Sequence, residues 1–415
     1  MNKWKKYVVE GTNDILFEQC AAKNVITNNI RNVFQRYGFL ELQTPTLEFY
    51  DVFNFSNHPV DDEKIYKLVD YKGRILTLRP DFTIPIARVY STKIKKGTVR
   101  LSYFGQVYRA NEHNHGKNNE ITQCGIEIIG AENIRAEILL LLTAIDALKE
   151  AGIDGFKIEI GQSQFYKALT EELKFDDEEK LQLQTLIMNR NIGSLYSFLN
   201  SKRDKLDEKS YELLKKLPQL FGGIEIVDEA EKLIESQKAL NALSELRYIY
   251  DTLNNLGYSQ YISIDLAMIQ DFDYYTGAVF KGYVRELGEE ILSGGRYDSL
   301  IGEFGDATPA AGLGLNIDNI LKVLTEKRQI NDFNNEEGII YFDKECLKTA
   351  LELLGSLNNG NIKWNLSLQD NLQDAIKCCK NAGIGNLIQV TEKGIFKYKI
   401  DGEESFVGEM TYGEN

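Results

Sequence analysis

Positive charge is scarce in this chain: 48 lysines and arginines stand against 62 aspartates and glutamates, a formal net charge of −14. A field of that sign repels phosphate backbones, whereas nucleic-acid binders carry a basic patch or stripe. The balance weighs mildly against a nucleic-acid partner, because solubility is the commoner reason for an acidic chain. Paired cysteines are lacking too. The five present, Cys20, Cys124, Cys346, Cys378 and Cys379, show no CxxC spacing, and an odd number in a chain this long does not make a disulfide framework. The neighbours Cys378 and Cys379 read as buried helix cysteines rather than a metal or redox site, and neither a metal nor a cofactor is expected. The longest apolar stretch, Ile138–Ile145, is far too short to span a bilayer, and the opening MNKWKKYVVEG has no signal-peptide-length apolar segment. A cytoplasmic protein without membrane contact is expected. Internal repeats and low-complexity tracts are missing as well.

What is present has the make-up of a soluble globular protein: 415 residues, 43% hydrophobic and 27% charged. That length exceeds one compact core and predicts two or three domains. Apolar residues at helical spacing from Asn24 to Tyr37, followed by Gly38, predict a first helix. Strand-like stretches follow at Gly38–Pro45, Lys64–Val69, Arg74–Leu78, Thr98–Arg109 and Gln123–Ile129, joined by short loops as in an antiparallel sheet. Asn133–Glu150 reads as a long amphipathic helix closed by Gly152, and a strand-like Phe156–Ile160 comes next. From about residue 165 to 256 the composition turns charged and leucine-rich, with no strand signal longer than Gly223–Val227, which predicts a helical insertion. Strand patterns return at Tyr261–Leu266, Tyr274–Val284 and Glu290–Ser293, and a glycine-rich stretch leads into a helix at Ile317–Glu326. The polar segment Asn331–Glu337 reads as a linker. Beyond it lie strand Ile339–Phe342, helices Lys344–Ser356 and Leu368–Ala382, and strands Asn386–Val390 and Phe396–Ile400, a small α/β unit. The expected organisation is a first domain over residues 1–330 and a small C-terminal domain over 336–415.

Six segments in order resemble class II aminoacyl-tRNA synthetases of the histidyl type. They are Gly11-Thr12-Asn13-Asp14; Leu78-Arg79-Pro80-Asp81-Phe82-Thr83, similar to an LRPEGT stretch; Tyr108-Arg109 with Gln123, Gly125 and Glu127, similar to the second class II motif; Asp273-Tyr274-Tyr275-Thr276, similar to LDYYT; Ser293-Gly294-Gly295-Arg296-Tyr297-Asp298; and Pro309-Ala310-Ala311-Gly312, which opens the third motif. The resemblance implies an α+β fold: an antiparallel sheet flanked by helices, usually dimeric, here with the helical insertion and the small C-terminal α/β domain. It also implies a histidine pocket made by Asp81, Thr83, Arg109, Gln123, Glu127, Tyr275 and Tyr297. The chemistry suits free histidine, since carboxylates hold an α-ammonium, an arginine holds an α-carboxylate, and an acid with a tyrosine satisfies both imidazole nitrogens. Tyr274, pointing opposite to Tyr275 on a strand, is expected only to stitch the sheet together.

Adenylating histidine demands more than this cradle, because joining a carboxylate to the α-phosphate of ATP builds negative charge that positioned cations must offset. The positions that hold them in the resembling family are altered here. Gln270 replaces the arginine that precedes the LDYYT element, and Asn316, Asp318 and Asn319 replace the glycine, glutamate and arginine of the third motif. Ile121 stands where an aromatic stacks on adenine, Lys117 matches a loop arginine, and Asn111, beside Glu112, replaces a loop glutamate. Losing one such cation costs about two to three orders of magnitude in rate.

A kept pocket beside lost ATP contacts resembles the ATP phosphoribosyltransferase regulatory subunits, a synthetase-like family that shares the LRPDFT form of residues 78–83. That resemblance implies a non-catalytic chain in complex with the short-form catalytic subunit, which performs the first step of histidine biosynthesis. The chain would bind histidine as feedback effector and act as a homodimer within a hetero-oligomer. Residues 333–415 contain no arginine, eight lysines and thirteen acids, so the C-terminal unit is poorly equipped to read tRNA and reads as a remnant or a docking module. Two further readings stay open at this point: an active, divergent histidyl-tRNA synthetase, and a sensor of uncharged tRNA.

Overall fold

A computed structural model of the chain describes residues 4–55, 60–94, 97–110, 118–269, 274–326, 336–357, 362–401 and 403–410. The chain divides into two compact units, Met1–Arg328 and Gln329–Asn415.

The first unit opens on helix α1 (Phe17–Arg36), whose buried Ala22, Ile26, Ile30, Val33 and Phe34 recur at three- and four-residue intervals and make one apolar stripe. Each fully buried isoleucine or phenylalanine of that stripe contributes roughly 2 kcal/mol. There follow β1 (Leu40–Glu41), β2 (Leu47–Phe49), β3 (Lys67–Val69), β4 (Ile75–Leu78), α2 (Thr83–Val89), β5 (Val99–Tyr108), β6 (Glu120–Ile129), α3 (Arg135–Glu150) and β7 (Phe156–Gln162). Helices α4 (Ser163–Glu171), α5 (Asp177–Met188), α6 (Ile192–Ser201) and α7 (Glu208–Lys216) come next, then the two-residue β8 (Phe221–Gly222), α8 (Glu225–Glu231) and α9 (Gln237–Asn255). The weak strand signal at Gly223–Val227 is therefore mostly the start of α8. Glu179 on α5 completes a capping box with Asp176 and also takes Lys202 and Lys205, each at 2.7 Å, which ties α5 to the end of α6. The chain then returns to the sheet through β9 (Ile262–Asp265), β10 (Ala278–Val284), β11 (Glu290–Arg296) and β12 (Ala310–Asn316), and closes with α10 (Ile317–Glu326).

Nine strands form the main sheet, in the order β1-β5-β6-β12-β11-β10-β7-β9-β8. Its centre is antiparallel, as the strand-rich sequence suggests, but β1 runs parallel to β5 and β7 parallel to β9. Strands β2, β4 and β3 stand apart as a three-stranded sheet. Helix α2, unsuspected from the sequence, buries Ile84, Ile86 and Ala87 together with Leu101, Tyr103, Tyr274, Tyr297 and Leu300. This apolar cluster supports the residues of the site described below.

The second unit contains β13 (Glu336–Phe342), α11 (Leu347–Leu357), β14 (Ile362–Leu366), α12 (Leu372–Ala382), β15 (Asn386–Thr391), β16 (Gly394–Asp401) and β17 (Glu403–Met410). Strand β13 lies parallel to both β14 and β15, and β15, β16 and β17 are antiparallel. Alternation along β13 sends Ile340 into one core with Ala350 and Leu353 of α11, and Tyr341 into the other with Ala375 and Cys379 of α12. All five cysteines are unpaired, and of the neighbours on α12 only Cys379 is buried; Cys378 is exposed. The adjacent positions differ because consecutive residues on a helix point about 100° apart, so both cannot face the same core.

Candidate functional site: a carboxylate-floored pocket

The antiparallel register fixes the floor. Glu127 on β6 lies opposite Leu101 on β5 and Gly312 on β12, while Gln123, two turns of the pleat earlier, lies opposite Gly105 and Asn316, and Gly125 between them lies opposite Gly314. Period-two alternation puts Gln123, Gly125 and Glu127 on one face. Two glycines of β12 leave room for these side chains: a Cβ at Gly312 would stand 1.5 Å from Glu127 Oε2, and one at Gly314 would stand 2.2 Å from Gln123 Nε2.

Glu127 is only 1% exposed. Its Oε1 accepts a 2.9 Å hydrogen bond from the Thr83 hydroxyl, and its Oε2 accepts one from the Tyr297 hydroxyl. Burial pushes the Glu127 carboxyl up to about 8, against the two hydrogen bonds, which favour the ionised form. The Asp81 carboxyl is raised as well, chiefly by burial, with the backbone N–H of Ile84, which Oδ1 accepts at 2.8 Å, and the Arg109 charge acting the other way. Asp81 thereby caps the start of α2, which holds Thr83 where it meets Glu127.

Above this floor is a cavity of about 480 Å³. Asp81, Thr83, Arg109, Gln123, Tyr275 and Tyr297 all line it, and Glu127 lies beneath them through its bonds to Thr83 and Tyr297. The structure thus brings the seven residues singled out for the pocket into one place. Arg109 is oriented by a 2.8 Å bond from Nε to the Pro80 carbonyl. The Oε1 of Gln123 is buried and has no hydrogen-bond partner among the described residues.

Sequence reasoning missed other members of the wall. Tyr103 lines the cavity and stacks on Phe82 at 4.3 Å. Tyr274 lines it too, stacked on Tyr297 at 5.6 Å. The expectation that Tyr274 faces away from Tyr275 fails because β10 begins only at Ala278, so strand alternation does not govern residues 274 and 275. Burial raises the hydroxyls of both, which keeps them as neutral donors. Lys281 and Glu290, paired at 3.8 Å, complete one side.

A second compartment of about 80 Å³ adjoins the first, walled by Val107, Ile121, Ile291, Leu292 and Asn316 besides residues shared with the main cavity. Ile121 therefore faces a space of its own, without an aromatic ring. Asn319 lines neither cavity; its Nδ2 donates to the Glu290 carbonyl at 2.9 Å and its backbone N–H to Asn316 Oδ1 at 3.0 Å. Asp318 accepts Lys23 Nζ and the backbone N–H of Thr122, each at 2.7 Å, so the first turn of α10 is joined to α1 and β6. Gln270, Asn111, Glu112, Lys117 and Asp273 lie outside the described residues. No group of three or more His, Cys, Asp or Glu suited to a metal ion occurs among the described residues, and none of their helices is long and apolar enough to cross a membrane.

Fold and pocket together define a class II synthetase domain of the histidyl type. A model of the histidyl-tRNA synthetase family matches residues 11–320, and the crystal structure of histidyl-tRNA synthetase from Nostoc shares the fold, with a TM-score of 0.79 over 98% of this chain and 97% of that one at 19% identity. Within that class the chain belongs to the ATP phosphoribosyltransferase regulatory subunit family. It is 44% identical over 400 residues to the ATP phosphoribosyltransferase regulatory subunit of Bacillus cereus, covering 96% of this chain and 95% of the relative, and 43% identical over 398 residues to that of Bacillus mycoides, with the same coverage. A crystal structure described as an ATP phosphoribosyltransferase regulatory subunit/histidyl-tRNA synthetase from Bacillus halodurans aligns with a TM-score of 0.81 at 29% identity, over 94% of this chain and 98% of that one.

Proposed function

We propose that the chain acts as the regulatory subunit of ATP phosphoribosyltransferase, binding histidine around Glu127 as feedback effector and supporting the catalytic subunit without itself adenylating histidine. The names of its relatives support the role in that complex. The observation that carries the rest is a contrast between the two compartments. The main cavity keeps an acid floor held by Thr83 and Tyr297, with Arg109 beside it, whereas Arg109 is the one cation among the described residues lining the smaller compartment. Recognition of a zwitterion with an imidazole needs the first set. Stabilising charge on a transferring phosphoryl group needs more cations than the second supplies.

Sensing requires only that histidine bind two states of the complex unequally, since the ligand then shifts their populations and the partner's activity follows. The partner is the short-form catalytic subunit, which carries the phosphoribosyl transfer of the first step of histidine biosynthesis. The chain is a homodimer within that hetero-oligomer, located in the cytoplasm, and tRNA is no partner. The C-terminal unit, with a net charge of −5 over residues 333–415, fits docking better than anticodon reading.

Reconstitution tests the reading. The short-form catalytic subunit should transfer phosphoribosyl to ATP only when mixed with this chain, and histidine should suppress that activity. Histidine-dependent exchange between ATP and pyrophosphate by the purified chain alone would instead establish an active synthetase. Retention of uncharged tRNA on a filter at low salt would favour a tRNA sensor.

A further inference from the structure

The two compartments meet at a neck. Arg109, Gln123, Glu290, Ser293 and Gly314 line both of them. Two of these five are charged, and they have opposite signs.

Glu290 is the first residue of β11, and its side chain is 48% exposed. Its main chain is fixed, because the carbonyl accepts the Asn319 side-chain amide at 2.9 Å. Its carboxylate is oriented by Lys281, whose Nζ is 3.8 Å from Oε2, on the neighbouring strand β10. Burial is the chief reason the hydroxyls of Tyr275, at the main cavity, and Tyr283 are raised, and the Glu290 charge adds to it, behind Asp81 and Glu127 at Tyr275. Past the neck the wall is apolar or neutral, through Val107, Ile121, Leu292 and Asn316.

A ligand carrying phosphate oxygens would therefore meet a carboxylate at the neck and no cation besides Arg109 among the described residues that line the space beyond. Partial exposure screens Glu290, so its repulsion of any one charge is modest. A triphosphate brings several charges past the same point, and the repulsions add. A zwitterion of amino-acid size has no such conflict.

We propose that Glu290 is a specificity-determining residue that makes the neck reject phosphate-bearing ligands, confining occupancy of the site to amino acids. This rests on the reading that the pocket recognises histidine without activating it. It adds an actively repelling group to the missing attractive ones.

The test compares binding of ATP and of adenosine to the full-length chain and to the Glu290→Gln, Glu290→Lys and Glu290→Asp variants, at low ionic strength, with thermal melts to verify folding. Removing the charge in Glu290→Gln should tighten ATP binding about threefold to tenfold, and the gain should shrink at about 0.5 M salt. Glu290→Lys should extend the gain, Glu290→Asp should behave as the parent chain, and adenosine should bind all four alike. Equal ATP affinity in the parent chain and Glu290→Gln, including no binding by either, overturns the proposal. So does an equal gain for adenosine, which would make the neck a steric barrier. Pyrophosphate exchange by the parent chain would end the non-activating reading, whereas the binding series bears on the filter alone.

Discussion

Gly312 stands opposite Glu127 across strands β12 and β6, and the room left by the missing side chain at 312 is occupied by the Glu127 carboxylate. A methyl group there would lie 1.5 Å from Oε2 and 2.9 Å from the Ile126 carbonyl oxygen. Gly312→Ala should therefore displace the carboxylate, separate it from Thr83 and Tyr297, and cost about 1 to 3 kcal/mol of stability through overpacking. Urea denaturation together with histidine calorimetry checks this; unchanged stability with unchanged binding would mean that the strand shifts freely at this point.

Replacing the carboxylate itself acts on the ligand. Glu127→Ala should weaken histidine binding by about 2 kcal/mol, the scale of a buried hydrogen bond to a charged group. The same variant should blunt histidine inhibition of the reconstituted complex. Calorimetry that returns the parent affinity would place the effector elsewhere, such as a subunit interface.

The buried carboxyl also makes stability depend on pH. In the folded chain Glu127 holds its proton up to about 8, whereas its ordinary value is 4.5. Between those values the folded state binds more protons than the unfolded one, so stability falls as pH rises through that window and levels off above it. Glu127→Gln, which keeps the shape and cannot ionise, should lose that part of the slope. Denaturation midpoints are to be compared at intervals from about pH 5 to 8.5, without histidine; parallel curves for the two proteins would show that Glu127 is ionised in the fold despite its burial.

Much of this was legible in the residues. The pocket could be assembled because its members sit inside short motifs whose order survives, and Arg109, Gln123 and Glu127 are spaced so that one hairpin, β5 with β6, presents them together. Helix Ile317–Glu326 was readable from its apolar periodicity. What hid was structure imposed by packing rather than by local preference. Helix α2 is only seven residues long, contains Pro85, and has its first turn held by Asp81, whose carboxyl accepts the backbone N–H of Ile84. Strand β12 looked like a glycine-rich connection because two of its glycines are dictated by Glu127 and Gln123 across the sheet, against their own weak strand preference. In the second unit β14 and β17 went unseen, one being a short strand beside β13 and the other a polar, glycine-containing strand beside β16. Tyr274 and Glu290 were missed at the site because neither a half-turn before a strand nor a strand's first residue follows a simple alternation.

One motif residue has a role that lies under the site rather than in it. Arg296, between Gly295 and Tyr297, points away from the cavity and forms a two-point ion pair with Glu137 of α3, Nε to Oε1 at 2.5 Å and Nη2 to Oε2 at 2.8 Å, with side chains 9% and 4% exposed. Its Nη1 also reaches the Ala131 carbonyl and Asp298 Oδ1, both at 3.1 Å, and Asp298 Oδ1 accepts the backbone N–H of Ala310 at 3.0 Å. The guanidinium thus joins α3, the turn after β11 and the start of β12, and so fixes the backbone on which Tyr297 stands. Removing one partner leaves a buried charge without its counter-ion, so Glu137→Gln and Arg296→Met should each cost about 3 to 5 kcal/mol, while the double variant, with no orphaned charge, should lose less than the sum of the two. Guanidinium denaturation of the four proteins measures the coupling. Additive losses would mean that the pair contributes packing alone, and the position of Tyr297 would then have to be secured by Tyr274 and the apolar cluster around it.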